Sequence, residues 1–180
     1  MINICTWNIS KGLVRKLSDS GFLNIVKEYD VLCFNECWVK CPDDFDIEGY
    51  EKKHVYREKC NGGGIVVFFR KWLSQYVEIV KCVADCMIWF KFDKCIMPNN
   101  KNVYMCAIYM PPDKNVYYRK YNIDVFDVLQ EHIEHVSALG TVSVIGGING
   151  RVGIESDFIL DDILDENVQD NINFIDYIYR

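Results

Sequence analysis

The chain has 180 residues, half of them hydrophobic and 14% aromatic, with 26 acidic against 20 basic side chains and a formal net charge of −6. That length suits a single domain over 1–180 with a sizeable core, and the composition excludes an intrinsically disordered chain. No run of 18 apolar residues occurs, and the N-terminal MINICTWNIS lacks a basic region followed by an apolar block. The expectation is therefore an intracellular monomer that neither spans a membrane nor is secreted.

In chain order, residues 2–7 read as a first strand ending at Asn8. Phe22, Leu23, Val26 and Tyr29 fall at helical spacing and predict a helix over 20–29. Val31–Asn35 is a short, continuous apolar run, fit for a strand buried on both faces, and it ends at Glu36. After the loop CPDDFDIEG, a strand is expected over 50–56. The turn signal NGGG then precedes a strand at Ile65–Arg70. Further strands are expected at 77–81, Met87–Phe92 and 103–109, the last stopped by MPPD because proline cannot continue a central ladder.

Residues 120–139 give the clearest helix, with Val125, Phe126, Leu129, Ile133 and Val136 as its apolar stripe and Gly140 placed to end it. A strand over 141–145 leads into GGINGRVG, and the acidic remainder holds one further short candidate at 174–178. Strands arrive both in βαβ order and as a meander, which predicts mixed α/β architecture with more than one sheet layer.

Nine cysteines are many for this length, and most lie in apolar strand-like runs. Cys33, Cys37 and Cys41 repeat every fourth residue, but the paired two-residue knuckles of a zinc site are missing. Reduced, buried thiols are expected. His132 and His135, three apart beside the stripe of the long helix, lack a completing carboxylate and read as a solvated or half-buried pair. Lys11, Arg15 and Lys16 are open to two readings, a solvated face or one wall of a groove for DNA. An acidic chain gives no charge-based support for a nucleic-acid partner, although a nuclease needs positive potential only in its groove.

Three strand ends deliver polar groups: TWN, NEC and the run SVIGGINGRVG, with YMPP at a fourth. Singly, each has an ordinary explanation, because Asn favours turns and a lone Glu is usually a solvated rim charge. As an ordered set, WNISKG, FNECW, GGGIVVFFR, YMPP and VIGGINGRVG resemble the successive motifs of the endonuclease/exonuclease/phosphatase superfamily. The flavour is that of the apurinic-type endonuclease domain of non-LTR retrotransposons, over residues 2 to about 165.

The resemblance implies a two-sheet α/β sandwich flanked by helices that hydrolyses phosphoester bonds with Mg²⁺ (or Mn²⁺), weakly bound here. It also implies DNA as partner and a nuclear address. Glu36 matches the family's metal-binding glutamate, and Asn8 the asparagine of the metal-site network. Tyr109 matches the tyrosine facing the scissile phosphate, and Asn149 the asparagine that orients water and phosphate. Arg151 is open either to substrate phosphate or to a salt bridge with the acidic tail.

Two departures stand out. The family's Gly-Asp-x-Asn reads Gly146-Gly147-Ile148-Asn149, so glycine replaces the aspartate that positions the attacking water. Only proximity recommends Asp157 as a substitute. The terminal Asp-His pair has no counterpart, since the histidines are His54, His132 and His135. Asp176 is a weak match to the upstream aspartate. The expectation is a domain lacking its C-terminal strands and impaired in catalysis. A non-enzymatic binding module and a phosphatase of nucleotides or inositol phosphates stand as alternatives.

Overall fold

A computed structural model describes residues 1–39, 45–55, 63–111 and 121–148. Among these residues, eight strands form two four-stranded sheets. In the first, β1 (Ile4–Asn8), β2 (Val31–Asn35), β3 (Tyr50–Val55) and β4 (Ile65–Arg70) are ordered β1-β2-β4-β3. In the second, β5 (Val77–Val83), β6 (Met87–Phe92), β7 (Val103–Met110) and β8 (Thr141–Ile148) follow chain order. β1–β2 and β7–β8 are parallel pairs and the others antiparallel. Each parallel pair is joined through helical chain, as a parallel crossover requires. Helices α1 (Leu13–Leu17) and α2 (Ser20–Val26) lie between β1 and β2, α3 (Lys71–Ser74) follows β4, and α4 (Val125–Ser137) precedes β8. No helix among the described residues is long and apolar enough to cross a membrane.

The period-two alternation of strand side chains sorts the core into three layers. Val31 and Cys33 of β2 and Ile65, Val67 and Phe69 of β4 meet Ile88, Phe90, Met105, Ala107, Tyr109 and Ile145 of the opposite sheet, forming the core between sheets. The alternate residues Leu32, Phe34, Val66 and Phe68 pack outward against Leu13, Phe22 and Val26 of α1 and α2. On the other side, Met87, Trp89, Cys106 and Ile108 pack against Val125 and Val136 of α4. β2 is buried at all five positions because both its faces are covered, as its unbroken apolar run predicts.

Several expected boundaries move. The long helix begins at Val125, where the Asp124 carboxylate accepts from the N–H groups of Phe126 and Asp127. Just before it, Asn122 has a φ of 49°, which no helix accepts. Phe126 is removed from the apolar stripe: it is exposed, because it lies about 100° around the helix from buried Val125. Val128, Leu129 and Ile133 continue the buried face. Helix α2 stops at Val26, three residues early. α1 and α3 are too short to leave a periodic signal and depend on packing by Leu13 and Leu73. β8 runs on through Gly146 and Gly147 to Ile148, so the glycine pair is strand and not loop.

The expected strand over 174–178 and the question of missing C-terminal strands fall outside the described residues. Of the thiols, Cys33, Cys37, Cys86 and Cys106 are buried, while Cys82 and Cys95 are exposed, against the expectation of burial.

Candidate functional site at the shared rim of the sheets

β1 and β2 are parallel and in register, with Asn8 opposite Asn35, so both strands end at the same rim. The chain then holds the two ends together with backbone bonds: Ile9 N–H donates to Asn35 O at 2.9 Å and Lys11 N–H to Glu36 O at 2.8 Å. Cys37 and Trp38 donate to the carbonyls of Gly64 and Gly63 ahead of β4. Sustaining this close path places Ser10, Lys11, Glu36 and Trp38 at φ between 47° and 66°, a left-handed region costly for residues with a Cβ. Gly63 and Gly64 adopt it without that cost.

This arrangement brings the two N-terminal candidates into contact. Asn8 Nδ2 donates to Glu36 Oε1 at 3.1 Å, and Asn8 Oδ1 accepts from Ser10 N–H at 2.9 Å. The amide is therefore held at both ends, and the partly exposed Glu36 carboxylate keeps oxygen lone pairs for a further partner.

The opposite sheet supplies the facing wall. Tyr109 pairs with Gly147 across β7 and β8, and alternation puts both on the side that faces the first sheet. Asn35 lies on the corresponding face of β2 and is 1% exposed. With its amide turned so that both ends are satisfied, Asn35 Nδ2 donates to Ile108 O at 3.3 Å and Oδ1 accepts from Gly147 N–H at 3.2 Å. Asn35 thus fastens the first sheet to the second directly beside Glu36. Sequence reasoning missed it, although its burial at the end of an apolar run was a usable signal: a buried amide needs partners.

The two glycines are not equivalent. Gly146 has φ of 130°, and a Cβ there would lie 2.0 Å from Ile108 O, so only glycine lets β8 pass β7. At Gly147 a Cβ would meet Tyr109 Cδ2 at 3.6 Å, an ordinary contact. Space for a side chain exists at the position where the aspartate is missing. Asn149, Arg151, Asp157 and Asp176 lie outside the described residues, and their relation to the rim is not part of the described geometry.

Among the described residues, no three His, Cys, Asp or Glu side chains converge as a metal-binding group. A hard divalent ion that retains most of its waters needs fewer, and one carboxylate with oxygen donors beside it fits such an ion. His132 stands apart from the rim. Its Nε2 is 2.8 Å from Lys81 Nζ and its ring meets Trp89 edge-on, while burial, with Lys81 adding to it, holds its pKa below the usual value. His135 is exposed.

Two layered sheets with helices outside, and an acid–amide pair where their strand ends meet, define an α/β sandwich of the kind that carries a site at its rim. The chain belongs to the endonuclease/exonuclease/phosphatase family, whose model matches residues 5–147. No curated protein matches it significantly. In fold it is similar to the APE2 catalytic domain of Xenopus laevis, with TM-score 0.63 and 17% identity over 83% of this chain and 59% of that one. It is also similar to the AP endonuclease LMAP of Leishmania major, with TM-score 0.60 and 12% identity over 81% and 54%. The endonuclease domain of TRAS1, a telomere-specific non-LTR retrotransposon, has TM-score 0.52 and 10% identity over 84% and 62%. The chain thus spans between half and two thirds of the length of these structures.

Proposed function

We propose that the chain is a single, monomeric phosphodiesterase domain of retrotransposon type, using Mg²⁺ or Mn²⁺ on DNA, with a catalytic step weakened by Gly147. The observation that carries this reading is the Asn8–Glu36 hydrogen bond at the rim where both sheets end. Glu36 is the carboxylate that would hold the metal, and Asn8 fixes its orientation, as a hydrogen-bonded neighbour of a metal ligand does. The bound ion would polarise a phosphoryl oxygen and lower the pKa of a bound water. Tyr109 is assigned to the phosphate, together with Asn149 and Arg151 from the following segment. Such groups act by positioning and by stabilising the charge that develops on phosphate.

Gly147 offers no side chain to orient or deprotonate the attacking water. Loss of a general base of this kind costs about 10²–10⁴-fold in rate. The test is plasmid nicking with Mg²⁺ by the parent chain, Gly147→Asp and Glu36→Ala. Slow nicking by the parent, faster nicking by Gly147→Asp and none by Glu36→Ala is the expected pattern. Nicking unaffected by Glu36→Ala would overturn the assignment of the site. Absence of nicking in every form would favour a non-enzymatic module. Phosphate release from nucleotides without nicking would favour the phosphatase alternative.

A further inference from the structure

Two residues beyond Glu36, Trp38 keeps 41% of its surface exposed. Its backbone is held at φ 51°, an unfavourable conformation for a bulky residue, by the bond from its N–H to Gly63 O at 3.1 Å. A hydrophobic ring is thus turned toward solvent at a conformational cost, where an ordinary φ would allow a different direction. Strained backbone of that kind clusters at active sites and ligand clamps. Lys11 Nζ lies 5.5 Å from the centre of the Trp38 ring, and the Lys11 N–H is bonded to the Glu36 carbonyl. The same segment continues with exposed Arg15 and with Lys16, whose ammonium lies over Trp7 at 5.4 Å. In a chain of net charge −6, three basic residues thus fall within six positions, and the first of them, Lys11, stands over the exposed aromatic.

We propose that Trp38 is a stacking platform for a nucleobase of the strand whose phosphate is held at Glu36, with Lys11 neutralising an adjacent phosphate. This rests on the DNA reading above and adds to it a residue that recognises bases. An aromatic face beside a cation is the combination that single-stranded nucleic acid uses, because every base has a π-face and every linkage a charge. An inositol phosphate has no base to stack on the platform, so Trp38 also favours a base-bearing substrate over an inositol phosphate.

The experiment measures binding without metal, so that cleavage plays no part. A short fluorescein-labelled single-stranded oligodeoxynucleotide and a base-free strand of the same length are titrated by anisotropy with the parent, Trp38→Ala, Trp38→Phe and Lys11→Ala. Expected is about a tenfold weakening of the base-bearing strand by Trp38→Ala, near-parent binding by Trp38→Phe, and no effect of Trp38→Ala on the base-free strand. Lys11→Ala weakens both strands and reduces the salt dependence. Unchanged binding of the base-bearing strand by Trp38→Ala, or equal loss for both strands, overturns the platform and leaves the DNA reading standing. A parent that binds neither strand overturns both.

Discussion

Asn35 and Gly147 tie the two sheets together at the rim, the amide oxygen at the end of β2 accepting the N–H of a β8 residue at 3.2 Å. The same side chain donates to Ile108 of β7, so one buried amide spans three strands of two sheets. Replacing it by Ala removes both hydrogen bonds between the sheets, at a cost of about 1–3 kcal/mol. Asn35→Ala is expected to lower the urea midpoint with an unchanged m-value. A midpoint equal to the parent's would show that the amide does not join the sheets.

Neighbouring glycines give opposite outcomes. Gly146→Ala places a methyl 2.0 Å from the Ile108 carbonyl in a backbone conformation that alanine rarely adopts, and is expected to destabilise by several kcal/mol or to prevent folding. Gly147→Ala meets only Tyr109 at contact distance and is expected to remain within about 1 kcal/mol of the parent. Thermal melts of the two variants decide the matter, and equal losses would count against the described path of β8. This tolerance is what makes Gly147→Asp an interpretable test of catalysis.

The Asn8 amide holds the Glu36 carboxylate through its 3.1 Å bond. Losing a hydrogen-bond partner of a metal ligand typically costs about 10–100-fold in metal affinity. Asn8→Ala is therefore expected to weaken Mn²⁺ binding by about tenfold in a calorimetric titration, and Glu36→Ala to abolish it. Identical isotherms for parent and Asn8→Ala would remove Asn8 from the metal site.

Burial pushes the Cys33 thiol up to about 12 and raises Cys37 and Cys106 as well. Below pH 9 these thiols are protonated in both states and their contribution to stability is complete. As pH rises from about 9 to about 12, the unfolded chain ionises first and stability falls. Denaturation midpoints at successive alkaline pH values should decline, and less steeply in Cys33→Ala. A parallel decline in both would assign the effect to other groups.

Much of this architecture is legible in the residues alone. The continuous apolar run of β2, the stripe of α4 and the order of the strand-end motifs all follow from local periodicity and residue type, and they place Asn8, Glu36 and Tyr109 at strand ends. Local pattern fails where packing decides. α1 and α3 are too short to show a period, and Phe126 has the composition of a core residue but the wrong angle around its helix. GGI reads as loop until the ladder with β7 holds it as strand. Asn35 is the clearest case. A polar residue closing an apolar run carries no local information about its partners, because those partners lie in the other sheet. Which sheet faces which, and so whether the Glu36 rim meets the Tyr109 and Gly147 rim, is set by burial of alternate side chains between the layers. That choice is made only when the whole core forms.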